Sequence, residues 1–247
     1  MKILFFVHEG ALSGANAALA DFMGLLFGKG YELYLITPRL GELTQRVAPY
    51  TKEVFEIYYY GWTVGPNRQN LKKNQLRHRL RNLYAVHQIG SVIKKIQPDY
   101  CVTNTITIDV GALAAKKKGV KHIWFVHEFG ESDHGFSFVC GMDKARKRML
   151  SLSYKVAVNS LAVLKTFPAS VKLKVLYNYV TPPQIEIAPL QKSDQMRFLL
   201  LGQIATSKNQ SEAIRALAEA RKRGYDFICP FTERWSMKIT TGSCCIW

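Results

Sequence analysis

The stretch Lys2–Asn16, KILFFVHEGALSGAN, decides the fold. Its first half, KILFFV, is an unbroken run of β-branched, aromatic and aliphatic residues after one lysine, the pattern of a strand buried on both faces. His8 and Glu9 end the run, and Gly10 and Gly14 bracket a short loop. Ser13 is a residue type that favours helix N-caps, and the apolar pattern from Ala15 to Phe27 has helical length. Strand, glycine-containing loop and helix together make the first half of a βαβ unit.

The same rhythm continues down the chain. ELYLIT (Glu32–Thr37) is the next strand, halted by Pro38, and Val54–Tyr60 is a third β-prone run. A basic helical segment from about Gln69 to Ile96 ends before Pro98. Tyr100–Asn104, His122–Glu128 and Lys155–Asn159 read as strands, with helices over Ile108–Lys118 and Met142–Leu152 between them. Such alternation predicts an α/β fold with a mostly parallel sheet covered on both faces.

After Asn178 the composition shifts. Thr181–Gln195 holds three of the nine prolines and no periodicity, so residues 181–195 read as an interdomain linker. The first domain is then 1–180. A second βα segment, 196–228, opens with the strand RFLLL (Arg197–Leu201) and the helix Gln210–Lys222. Its apolar residues Ala213, Ile214, Ala216, Leu217 and Ala220 fall on one side, and Tyr225–Ile228 starts another strand. Residues 229–247, CPFTERWSMKITTGSCCIW, follow neither period, and the expectation is an aberrant, disordered or frameshifted tail that cuts the second domain short.

The formal net charge is +16. Residues 57–98 contain no acid but eight bases: Arg68, Lys72, Lys73, Arg77, Arg79, Arg81, Lys94 and Lys95. Lys144, Arg146, Lys147 and Arg148 form a second cluster. Such patches attract phosphates of nucleic acid, anionic lipid or a diphosphate ligand, or else form a solvated helix face. A helix-turn-helix, zinc-finger or RNA-recognition signature is missing, so nucleic acid is not the expected partner. The five cysteines lack metal or redox spacing and are expected to be reduced. No apolar run approaches the roughly 18 residues of a membrane span. A cytoplasmic protein is expected, with peripheral contact to an anionic membrane through Arg68, Lys72, Lys73, Arg77, Arg79 and Arg81.

Three places offer chemistry. The loop Glu9–Asn16 leads into a helix whose free backbone N–H groups can receive a phosphate, although the Gly10-x-x-x-Gly14 spacing is not the dinucleotide fingerprint. His127-Glu128 closes a strand, and ligands of open parallel sheets bind outside the strands' carboxyl ends. Gly202-Gln-Ile-Ala-Thr-Ser-Lys208 joins a strand to a helix, where a lysine suits a diphosphate. No metal site, Walker loop or nucleophile elbow is present in the sequence.

Taken in order, KILFFVHEGALSGAN, KGYELYLIT, WFVHE, VAVNS, VLYN and LLLGQIATSKNQSEAIRALAEA resemble retaining glycosyltransferases of the GT-B fold, specifically glycosyltransferase family 4, over residues 1 to about 228. The resemblance implies a GT-B-type Rossmann-like domain followed by an incomplete second one. It implies a nucleotide-diphosphate sugar as donor, with no metal or other cofactor, and a polysaccharide or lipid-linked cell-envelope glycan as acceptor. It places Ser13, Gly14 and Asn16 near the donor diphosphate and His127 beside the transferring sugar as the catalytic residue, with Glu128 also among the donor-binding residues. In the second domain it assigns Gly202, Gln203 and Lys208 to the diphosphate, and Gln203 stands where the family usually has arginine. A glutamine donates only a neutral hydrogen bond. The family's glutamate pair lies beyond the matched region. The resemblance therefore predicts a glycosyltransferase inactive as this chain; the alternative is a non-catalytic remnant or a basic membrane- or nucleic-acid-binding protein.

Overall fold

The structure, a computed structural model, describes residues 1–64, 71–131, 135–138, 140–179, 196–202, 208–229 and 231–232, with the backbone alone at 71–75, 201 and 231–232. The chain divides into two compact units, Met1–Pro182 and Pro183–Trp247. The segment expected to be a linker, 181–195, lies outside the described residues, as do Gln203 and most of the tail.

The first unit is built on seven parallel strands: β1 (Lys2–Phe6), β2 (Glu32–Thr37), β3 (Thr51–Glu56), β5 (Tyr100–Thr103), β6 (Lys121–Val126), β8 (Lys155–Val158) and β9 (Leu173–Val175). Their order across the sheet is β3-β2-β1-β5-β6-β8-β9. Two-residue strands β4 (Thr63–Val64) and β7 (Ser137–Phe138) form a separate antiparallel pair. Helices α1 (Gly14–Gly28), α2 (Glu42–Val47), α3 (Leu71–Ile96), α4 (Val110–Lys118), α5 (Met142–Leu152) and α6 (Leu161–Leu164) connect the strands. This is the Rossmann-like doubly wound arrangement, and its strand order reverses between β1 and β5.

The unbroken apolar reading of β1 follows from burial on both faces. Leu4 and Phe6 pack with Ile36, Cys101 and the inner sides of α3 and α4, through Ala85, Ile89, Ile93 and Ala114. Ile3, Phe5 and Val7 face the other way, against Leu19 and Met23 of α1 and Leu43 and Val47 of α2. Trp124, Val126, Val156 and Val158 build a third cluster with Ala145 and Met149 of α5. Where α4 ends, Gly119 sits at φ 70°, the left-handed conformation that glycine adopts without a Cβ penalty. Gly10 is required differently: a Cβ there would stand 2.3 Å from the Arg39 carbonyl oxygen, because the loops after β1 and β2 touch backbone to backbone.

The third strand begins three residues earlier than the run Val54–Tyr60 suggests and stops at Glu56. Tyr59 is the reason: its ring leaves the strand course, is buried, and donates its hydroxyl to the Val7 carbonyl oxygen. Burial raises the Tyr59 phenol well above its ordinary range.

In the second unit, β10 (Met196–Arg197) pairs in parallel with β12 (Phe227–Ile228), and β11 (Leu200–Leu201) with β13 (Phe231–Thr232). Helix α7 spans Gln210–Lys222. Its half-buried residues are Gln210, Ala213, Leu217 and Ala220, so the expected inner side is narrower than read from the sequence. Ile214 is 53% exposed and Ala216 is exposed too.

Candidate functional site

The carboxyl ends of β1, β5, β6 and β8 each carry a polar residue just past the strand: His8, Asn104, His127 and Asn159. They flank the reversal in strand order, where a parallel sheet opens a crevice. The His127 ring is tied across the sheet edge, its Nε2 lying 2.8 Å from Asn104 Oδ1. Asn104 Nδ2 in turn donates to the Ala15 carbonyl at 3.2 Å, which orients the amide with its oxygen towards the histidine. Nε2 is therefore the protonated nitrogen, and Nδ1 presents a lone pair. Burial pushes the His127 pKa down to about 4, so the ring is neutral at physiological pH. The ring packs 4.2 Å from Phe125, and its backbone carbonyl accepts from Asn159 Nδ2 at 3.1 Å.

Glu128 is buried with all its hydrogen bonds internal: Thr105 Oγ1 donates to Oε1 at 3.0 Å, and the His127 and Ile106 amides donate to Oε2 at 3.1 and 3.4 Å. Burial raises its pKa, and these bonds together with the charge of His8 oppose the rise. Its carboxyl thus clamps the loop after β5 to the end of β6. That loop, 104–109, is buried throughout. Its carbonyls are held by indoles, Trp124 Nε1 donating to Thr105 O and Trp62 Nε1 to Ile106 O, both at 2.6 Å. Arg148 reaches Asp109 at 3.2 Å from the far side.

The loop after β1 is stapled by Asn16, which is fully buried and donates from Nδ2 to Ala11 O at 2.8 Å and Glu9 O at 3.3 Å. His8 Nε2 lies 3.2 Å from Glu9 Oε1, and this bond holds the Glu9 carboxyl below its ordinary range. Ser13 precedes α1 in extended conformation but makes no side-chain cap. A Cβ added to Gly14 would meet nothing within 4 Å, so the fold leaves space open at the helix start.

Six buried side-chain atoms among the described residues have no hydrogen-bond partner: His8 Nδ1, Ser13 Oγ, Asn16 Oδ1, Gln88 Oε1, His127 Nδ1 and Asn159 Oδ1. Five belong to this one sheet edge; Gln88 alone is on α3. Ser13 Oγ bonds nothing within hydrogen-bonding geometry, although Glu9 is close enough to feel it. An unpaired buried polar atom costs about 1–3 kcal/mol unless water or a ligand meets it, and five of the six lie at this one edge.

Beside it lies a surface hollow of about 530 Å³ lined by Phe129, Glu131, Met142, Asp143 and Arg146. Another, of about 460 Å³, lies along α1 at Asp21, Gly24 and Tyr50 and contains none of the expected site residues. Among the described residues no three His, Cys, Asp or Glu side chains gather to hold a metal ion.

In the second unit Gly202 takes φ 149°, and Lys208 is exposed just before α7 with its aliphatic stem beside Gly202. The residues between them, Gln203 included, lie outside the described residues. Of the expected ligands in the first unit, the structure brings Ser13, Gly14, Asn16, His127 and Glu128 to the same sheet edge. It adds Asn104, Thr105 and Asn159, which the sequence reading left without a role. Their signal was positional, since Asn104 and Asn159 each follow a strand directly, as His127 does.

No family model matches the chain, and no curated protein matches it in sequence. Solved structures do. The lipopolysaccharide outer core galactosyltransferase WaaB, in apo form, aligns at TM-score 0.60 and 13% identity, over 96% of this chain and 69% of its own. HepE from Anabaena, in complex with UDP and glucose, aligns at TM-score 0.60 and 18% identity, over 94% of this chain and 60% of its own. MurG of Acinetobacter baumannii gives 0.56 and 13%, over 96% and 69%. These are GT-B glycosyltransferases, and the chain shares their fold over 60 to 69% of their lengths.

Proposed function

We propose that this chain is a glycosyltransferase of the GT-B type, of the retaining family 4 kind, which takes a nucleotide-diphosphate sugar as donor. The observation that carries the reading is the set of five unpartnered polar atoms at the carboxyl edge of the sheet, with the neutral His127 at its centre. A sugar carries many hydroxyl donors, and His127 Nδ1, Asn16 Oδ1 and Asn159 Oδ1 are acceptors that lack donors. His127 acts by accepting a hydroxyl hydrogen bond. It bears no proton to give from Nδ1 and no charge to stabilise a departing phosphate. The open start of α1 at Ser13 and Gly14 suits a diphosphate, which helix N–H groups favour. In the second unit, Lys208 is an exposed cation just before α7, a residue type suited to a diphosphate. The hollow beside the site mixes Phe129 and Met142 with Glu131, Asp143 and Arg146, a lining that suits a glycan or lipid-linked acceptor. Catalysis then consists of holding donor and acceptor in register while the nucleoside diphosphate leaves.

The fold-matched HepE structure with UDP and glucose makes UDP-glucose the first probe. Saturation-transfer NMR with UDP-glucose, GDP-mannose and UDP-N-acetylglucosamine should show transfer to sugar protons for at least one of them. His127→Ala should weaken that signal by about tenfold, the value of one hydrogen bond lost to a ligand. The effect of His127→Ala should be the same at pH 5 and pH 8, because that ring is neutral across the range. Absence of transfer from every donor, or indifference to His127→Ala, overturns the reading.

A further inference from the structure

Two histidines end strands at this sheet edge, and they are held differently. His8 is tied through Nε2 to Glu9, its own neighbour in the chain. His127 is tied to Asn104, on the loop that follows the adjacent strand β5. The backbones of both members of that second pair are already secured. Asn104 N–H donates to the Phe6 carbonyl of β1 at 2.9 Å. The His127 N–H donates to Glu128 at 3.1 Å, and the His127 carbonyl accepts from Asn159 at 3.1 Å. The side-chain bond at 2.8 Å is therefore not needed to hold either loop. What it fixes is the imidazole itself.

An imidazole turns about χ2 between two broad orientations related by roughly 180°. Turned over, the ring would bring carbons to the positions that Nδ1 and Nε2 now hold. Its outline would hardly change, so packing against Phe125 distinguishes the two orientations poorly. A hydrogen bond distinguishes them well, and Asn104 supplies one whose direction is set from further away. Its Nδ2 donates to the Ala15 carbonyl in the first turn of α1 at 3.2 Å. Reversing the amide would set oxygen against oxygen there, so Oδ1 is left to face His127. The side chain at 104 must thus donate on one side and accept on the other, from a fully buried position. An ionised aspartate only accepts, and leucine, of similar size, does neither.

We infer that Asn104 is a positioning residue: it acts on a ligand only through His127, by holding Nε2–H inward and leaving Nδ1 to accept. The bearing of this on sugar transfer rests on the function proposed above, whereas the state of the ring does not. The same amide joins the start of α1 to the end of β6. The helix start and His127, read as the places of diphosphate and sugar, thereby belong to one hydrogen-bonded frame.

The first test needs no ligand. In proton–nitrogen NMR of the imidazole rings of the full chain at pH 7, His127 should be protonated on Nε2 and bare on Nδ1. Its Nε2–H signal should persist in water. His122 is the internal control, since its ring is bonded at both nitrogens, to Thr103 and Ser153, and not to Asn104. Asn104→Leu should abolish the His127 signal and leave that of His122. Asn104→Asp should restore it, because an aspartate oxygen accepts the same proton. With UDP-glucose as probe, Asn104→Leu should weaken saturation transfer by up to the roughly tenfold expected of His127→Ala. The double variant should be no weaker than His127→Ala alone, since the two residues act as one unit. The opposite tautomer in the wild-type chain overturns the inference, and that measurement serves even where the leucine variant does not fold. A His127 signal that survives Asn104→Leu overturns it too, as do losses that multiply in the double variant. If no donor binds while the ring behaves as described, the glycosyltransferase reading fails and the positioning of His127 stands.

Discussion

Residues 1–182 and 183–247 share a βα rhythm in sequence and treat their apolar side chains differently. In the first unit seven strands share one sheet, and both faces of β1 disappear under helices. Among the described residues of the second, two separate pairs of two-residue strands accompany one helix, and Phe227 alone is buried. Met196, Phe198, Leu199, Ile214, Tyr225 and Ile228 are each at least 42% exposed. The difference teaches that alternation by itself does not make a core. An isolated two-stranded sheet is marginal, and burial follows only when several strands present a wide common face to helices.

The contrast can be broken most directly by deletion of buried volume. Phe6→Ala in β1 should cost about 3–5 kcal/mol in urea unfolding, whereas Ile214→Ala on α7 should stay within about 0.5 kcal/mol. Comparable losses at both sites would mean that the second unit has a core of its own.

Acid offers the next largest effect. All six histidines lie in the first unit, and burial lowers the pKa of His122 to about 3 and that of His127 to about 4. Unfolding exposes both to water, where they take up protons near 6.5. Their folded pKa values are depressed, so the stability of the first unit should be level above about pH 6.5. It should fall as the pH drops towards 4, by on the order of 3 kcal/mol for His127. His127→Asn should flatten that part of a melting-temperature profile, and a profile unchanged by the substitution would contradict the buried neutral ring.

A smaller effect sharpens the account of β3. Tyr59→Phe keeps the buried ring and removes only the hydroxyl that reaches Val7, so a loss of about 1–2 kcal/mol is expected in the same urea experiment. A neutral substitution would mean that the ring's packing alone ends the strand.

Much of the first unit was legible because its signals are local. KILFFV, ELYLIT and HIWFV announce buried strands by composition, and the helices between them show in the apolar period. Two kinds of feature escaped. Helix α2 and strand β9, six and three residues long, are too short for any period to show. Tyr59 reads as a strand residue until a carbonyl 52 positions away claims its hydroxyl. The site divides in the same way. His127 and the loop at Ser13–Asn16 stood out as strand-end features. Asn104 and Asn159 did not, because an asparagine after a strand is ordinary until it is seen bonded to a histidine from the neighbouring strand.

The sequence by itself determined the alternation of strands and helices, the position of His127 past a strand, and the acid-free basic run of α3. These depend on side-chain type and local spacing. Only the tertiary structure decided that β1 and β5 lie side by side, which lets Asn104 tie His127 to the start of α1 and leaves polar atoms of His8, Asn16 and His127 unpaired at one edge. It also decided which leucines of α3 face water. Both outcomes rest on long-range packing: the register between strands, and the side of a helix that the sheet claims, follow from the whole core.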